Sequence, residues 1–129
     1  MREPAVSNLV RTIVVFEARP RWEPELQRQF RDESVRVRGC RTWNEVSAFA
    51  FPPTADALVV ELPEDMADCL QWLSKLVAPP RVPPVIVLCP VEVSELEWTL
   101  RDVGVQEVLV GDLTGEALAR TCRRLWREA

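Results

Sequence analysis

Two short stretches, "ALVV" at residues 57–60 and "VIVLC" at residues 85–89, carry no polar side chain. Successive side chains of a strand point to opposite faces, so a run that is apolar at every position has to be covered on both. A parallel sheet flanked by helices gives that cover, and the chain supplies the helices. Short β-branched runs alternate with longer amphipathic stretches five times along it. "TIVVF" predicts a first strand, followed by a helix over about residues 23–31 in which Trp22, Leu26 and Phe30 recur every four positions. "SVRVRG" alternates Val35 and Val37 with Arg36 and Arg38, the pattern of an edge strand. Thr42 with Glu45 predicts a capping box opening a short helix that turns Val46, Phe49 and Ala50 inward. "DALVVE" predicts a central third strand. Its helix is expected to hold Pro63, Glu64 and Asp65 in the first turn and Met66, Leu70, Leu73 and Val77 along the buried stripe. The prolines of "APPRVPP" forbid helix and deliver the chain to the fourth strand, "VIVLC". Ser94, with Glu97 three residues on, predicts the cap of a fourth helix lined by Leu96, Leu100 and Val103 and closed at Gly104. "VQEVLV" predicts a fifth strand. The last helix, "LTGEALARTCRRLWRE", carries Ala117, Leu118, Cys122 and Leu125 on one face.

Composition narrows the chemistry. With 129 residues, 47% of them hydrophobic, the chain is expected to form a single domain over residues 1–129, without repeats or linkers. A net charge of −4 and a pI near 5.0 argue against nucleic-acid binding, which needs a basic stripe to neutralise phosphates. The arginines do cluster, in "RQFRDESVRVRGCR" and "ARTCRRLWRE", either as solvated faces or as a docking patch for an acidic partner. The apolar core of the first 20 residues is too short for a signal peptide or membrane span, and four scattered cysteines fit a reducing compartment, so a cytoplasmic location is expected. There is no histidine, hence no imidazole base or metal ligand. The four glycines form neither a dinucleotide fingerprint nor a P-loop.

Five strand-helix units in this length predict a flavodoxin-like doubly wound (βα)5 parallel sheet of order 2-1-3-4-5, with the first and third strands flanking the switch point. Glu17 ends the first strand and Glu61 the third. With this layout the sequence resembles, over nearly its whole length, the receiver domain of bacterial two-component response regulators. "IVVFEARP", "DALVVELPED", "PPVIVLCP" and "GVQEVLVGDLTGEAL" fall where that family runs its strands into an acidic pair, a phosphoacceptor aspartate, a hydroxyl residue and Lys-Pro. Position by position, the resemblance sets Glu17 and Ala18 at the acidic pair and Glu61 at the phosphoacceptor. It sets Cys89 at the hydroxyl residue, Val108 at the switch aromatic, and Gly111 with Asp112 at Lys-Pro. A shift of one residue would set Phe16 and Glu17 at the pair and still leave the set broken. The resemblance therefore implies a degenerate or pseudo-receiver, noncatalytic and without cofactor or metal, serving as a phosphorylation-independent protein interaction module in signalling or regulation.

Two readings of Glu61 stay open: a fixed charge imitating a phosphoryl group, or an acid stabilised at a strand end by the following helix. Glu17, Glu61, Glu64 and Asp112 also converge on one edge, where they offer weak oxygen ligands for a divalent cation. An alternative function follows, a small enzyme or a ligand- or metal-binding protein that uses this acidic edge and Cys89. Trp22, Trp43 and Trp72 are accounted for by packing and caps. Trp98 and Trp126 fall on the helices beside the fifth strand, the surface that the family uses for docking and dimerisation. The expected partner is a signalling or regulatory protein, or a second copy through the helix 4, strand 5, helix 5 face. No nucleic acid or membrane is expected. With no effector segment after the last helix, output is expected to pass through another chain.

Overall fold

The structure, a computed structural model, describes residues 10–49, 55–63, 65–76 and 83–128. Five strands, β1 (Arg11–Phe16), β2 (Val35–Cys40), β3 (Ala57–Glu61), β4 (Val85–Cys89) and β5 (Glu107–Val110), pair in parallel in the order β2-β1-β3-β4-β5. They alternate with α1 (Trp22–Gln29), α2 (Trp43–Phe49), α3 (Met66–Leu76), α4 (Leu96–Asp102) and α5 (Gly115–Glu128). This is the expected flavodoxin-like doubly wound sheet.

The strands' period of two divides the core into layers. Val14, Phe16, Leu58, Val60, Val85 and Val87 point to one face, where Val46 of α2, Cys69 and Leu73 of α3 and Leu100 of α4 meet them. Ile13, Val15, Ala57, Val59, Ile86 and Leu88 point to the other, against Trp22 and Leu26 of α1, Phe30, and Leu118 and Cys122 of α5. β3 and β4 lie between neighbours on both sides and are buried at nearly every position, which is why their sequences show no alternation. In the first layer, Phe16 stacks on Trp43 at 3.7 Å between ring centroids, and Trp43 on Trp72 at 4.4 Å.

The capping box forms as its residues predict: the Glu45 N–H donates to Thr42 Oγ1 (3.2 Å) and the Thr42 N–H to Glu45 Oε1 (3.1 Å). The Glu45 carboxyl lies below its ordinary range because the Arg41 and Thr42 N–H groups donate to it. α5 starts under Thr114, whose hydroxyl accepts the Ala117 N–H at 3.1 Å. Gly104, at φ 109°, closes α4 as expected of a glycine in the left-handed region.

Two helix starts differ from expectation. Pro63 and Asp65 precede α3, which begins at Met66, and the Asp65 carboxylate accepts the Asp68 N–H instead. Ser94 does not cap α4 with its side chain; a single 3₁₀ turn, Val91–Val93, follows β4, and the helix starts at Leu96. Cys69 joins the buried stripe of α3 beside Leu73. Ala50, Glu64 and Val77 lie outside the described residues. Among the described residues no helix is long and apolar enough to cross a membrane.

Candidate functional site

In a parallel sheet all strands end on the same edge, and here those ends surround a cleft of about 220 Å³. Glu61 comes from the end of β3, Cys89 from β4, Glu92 from the 3₁₀ turn, and Gly111 and Asp112 from beyond β5; Arg21 and Trp22 close it from α1. A second cavity of the same volume adjoins it through Arg21, Trp22 and Leu113, and reaches Glu25, Arg28 and Gly115.

Glu61 does not stand free. The Trp22 indole N–H donates to its Oε2 at 3.2 Å, tying the end of β3 to the start of α1. Arg21 lays its guanidinium over the Trp22 ring, 4.5 Å from the centroid. Sequence reasoning set no cation at this cleft, and Arg21 is one that it missed.

Glu17 is turned away from Glu61 and does not line the cleft. Its carboxylate is fully buried and faces the start of α1, where Oε1 accepts the Arg21 and Trp22 N–H groups (3.1 and 2.9 Å) and Oε2 the Glu23 N–H (3.0 Å). The first turn of a helix leaves its N–H groups without internal partners, and Arg21 at the cap position offers no side-chain acceptor. Glu17 fills that need from outside the helix. The missing cap residue was the signal in the sequence: a helix preceded by Arg, with an unexplained acid four residues upstream. Ala18, exposed next to it, contributes no oxygen.

Cys89 is buried, and its thiol lies within hydrogen-bond range of the Pro90 carbonyl (3.6 Å) and the Val93 carbonyl (3.5 Å). Burial raises its pKa, and Glu95 and Glu97 push it the same way, which favours the protonated thiol. Burial likewise raises Cys40 to about 11, and Cys69 and Cys122 to about 12. Val108, in register with Val87, is a buried core residue. Gly111 has φ 89°, donates its N–H to the Cys89 carbonyl at 3.0 Å, and has open space where a Cβ would project. A residue with a long side chain is thus replaced, relative to the resemblance, by cleft volume.

Intact members of the receiver family hold magnesium at this edge, and the residues of this chain do not fit it. Both oxygens of Glu17 are taken by backbone donors, Ala18 has none to offer, and one oxygen of Glu61 holds an indole. Among the described residues no group of three or more His, Cys, Asp and Glu side chains could hold a metal ion. Of the acidic convergence expected of Glu17, Glu61, Glu64 and Asp112, Glu61 and Asp112 line the cleft and Glu92 joins them, while Glu17 faces α1 and Glu64 lies outside the described residues.

The two tryptophans expected to share a surface are separated. Trp98 on α4 is 76% exposed. Trp126 is part of the α1–α5 layer: its indole N–H donates to the Asp56 carbonyl at 3.1 Å, its ring lies 5.8 Å from that of Phe30, and the Arg11 guanidinium covers it. It is a packing residue near the amino edge of the sheet.

The cleft thus lies at the carboxyl edge, where doubly wound α/β proteins place their sites, and the strand order sets the class of fold. Comparison with solved structures refines this. The chain is similar to the chemotaxis response regulator CheY4 of Vibrio cholerae, with 15% identity and a TM-score of 0.73 over 91% of this chain and 99% of that one. A response regulator from Thermotoga maritima gives 13% identity and a TM-score of 0.75, covering 91% and 98%. A CheY-like protein (TadZ) from Pseudomonas aeruginosa gives 18% and 0.69, covering 91% and 94%. The fold is that of response-regulator receiver domains. No protein-family model matches the sequence, and no curated protein does.

Proposed function

We propose that this chain is a pseudo-receiver, a receiver fold over residues 1–129 that has lost the phosphoryl switch and works as a noncatalytic docking module in signalling or regulation. The observation that carries this reading is the commitment of its acids. Glu17 is consumed in capping α1 and Glu61 is bonded to Trp22. Phosphoryl transfer needs a carboxylate in line, a cation neutralising the moving charge and a donor on the equatorial oxygens. Glutamate is also one methylene longer than aspartate, and a misplacement of ~1 Å can cost about 100-fold. Glu61 then acts as a strut, and docking falls to the α4 and β5 side, where Trp98 stands in solvent. A protein partner is favoured there, with a second copy of the chain as the other candidate.

The test is incubation with a small phosphodonor and magnesium, followed by intact mass measurement and peptide mapping. The expected outcome is an unmodified protein. A stoichiometric acyl phosphate on Glu61 would sink the proposal.

A further inference from the structure

Among the described residues the exposed large hydrophobic side chains are Val10, Val91, Trp98 and Val110, and three of these four fall within residues 91–110. The fold brings that segment together. Val110 is in register with Cys89 at the end of the edge strand β5, the Gly111 N–H to Cys89 carbonyl bond holds it beside the turn that carries Val91, and α4 packs along β5.

The same segment concentrates negative charge. Residues 91–112 contain Glu92, Glu95, Glu97, Asp102, Glu107 and Asp112 against the single cation Arg101. Six carboxylates against one guanidinium leave −5, more than the −4 of the entire chain. Glu97 is paired with Arg101 at 3.1 Å and Glu107 with Arg124 of α5 at 2.9 Å. Glu92, Glu95, Asp102 and Asp112 have no cation within salt-bridge distance among the described residues. The apolar residues are therefore set among uncompensated acids.

Resting on the docking reading above, we infer that the partner is a protein that presents a basic segment, with arginine or lysine side chains around an apolar anchor that covers Trp98. A large exposed aromatic is the residue type that dominates binding energy once it is covered. Charges of one sign around it select a partner of opposite sign, speed its approach and reject like-charged surfaces. An acidic segment, an anionic membrane and a nucleic acid would all meet the same repulsion. Of the chain's arginines only Arg101 lies in this segment and Arg124 reaches into it from α5, so among the described residues just two of its six carboxylates are paired.

The experiment uses the full chain, tagged, in its own cell extract, as wild type, Trp98→Ala and Glu95→Arg/Asp102→Arg. Carbodiimide, which joins carboxylates to lysine amines at zero length, maps the contact by mass spectrometry. The mapped segment is then synthesised and titrated by fluorescence anisotropy. The expected result is a partner lost from both variants and joined through a segment of net positive charge. Its affinity should fall at least tenfold with Trp98→Ala, with the charge reversal, and on raising the salt until charges are screened over a few ångströms. A partner lost from Trp98→Ala but retained by the charge-reversed variant, or bound through a neutral or acidic segment, overturns the basic-partner inference and leaves the docking reading standing. A salt-sensitive homodimer of the purified chain, abolished by Trp98→Ala, overturns it in favour of a second copy. If no interaction depends on Trp98, the docking reading falls as well.

Discussion

The α1 side of the carboxyl edge and the α4 side differ in how far their polar and aromatic groups are committed. Around α1, nearly every group has a fixed partner: Glu17 holds three backbone N–H groups, Trp22 holds Glu61, and Arg21 covers Trp22. The side chains of Glu23 and Glu25 also reach from α1 into the space that a Cβ would fill at Gly39 and Gly115. α4, by contrast, is entered through one 3₁₀ turn, has no side-chain cap, and leaves Trp98 and several carboxylates facing solvent. The acids that the receiver resemblance assigns to switching have become framework on one side. The uncommitted aromatic and acidic groups, to which the proposed docking role falls, lie on the other.

Substitution by size can break or sharpen that contrast. Trp22→Ala removes a buried indole and the indole bond to Glu61, and is expected to cost about 4 kcal/mol. Glu17→Ala leaves the buried Trp22 N–H and the part-buried N–H groups of Arg21 and Glu23 without their acceptor and should cost about 3 kcal/mol, with Glu17→Gln recovering part of the loss through its remaining oxygen. Both are read from denaturant unfolding at neutral pH. If either costs under about 0.5 kcal/mol, the range of an ordinary surface change, the α1 side is not the framework it is taken for.

A smaller effect is set by pH. The Glu45 carboxyl titrates below its ordinary value of 4.5, held there by the Arg41 and Thr42 N–H groups, so its contribution to stability is complete above pH 4.5 and is lost as pH falls through the lowered folded-state value. Thermal melts from neutral to acidic pH should show the wild type converging on Glu45→Gln at the acid end. Curves that stay parallel would remove the capping box from the account. The smallest effect belongs to Trp98→Ala, expected within about 0.5 kcal/mol of wild type, because a ring that is 76% exposed has little packing to lose. A cost like that of Trp22→Ala would erase the contrast between the two sides.

How legible each part was follows from the range of the interactions. β3 and β4 could be read because burial on both faces leaves an uninterrupted apolar run, and the Thr42 and Glu45 box because both partners lie within one helical turn. The α4 start misled because Ser94 and Glu97 match the spacing of a cap, while the backbone leaving Pro90 winds first into a 3₁₀ turn. Trp126 misled because helix periodicity tells which face a residue occupies, not which neighbour it meets; Asp56, its partner, lies 70 residues away in sequence. The carboxyl edge was legible as a location, through Glu61, Cys89, Gly111 and Asp112, but not as a wiring. Glu17 was placed at the right edge and given the wrong direction, and Arg21 was not seen at all, since a loop residue's orientation is fixed by contacts that leave no period in the sequence.

Trp43 and Trp72 lie ring over ring, with centroids 4.4 Å apart and planes inclined by 24°. Indole chromophores this close share their excited states, because the coupling of their transition dipoles rises as the inverse cube of their separation. Where the two dipoles are skewed about the line joining them, absorption in the ultraviolet splits into two circular-dichroism lobes of opposite sign. The stacked pair is thus an optical gauge between α2 and α3 that needs no label: a couplet in the folded protein is expected to collapse when those two helices part.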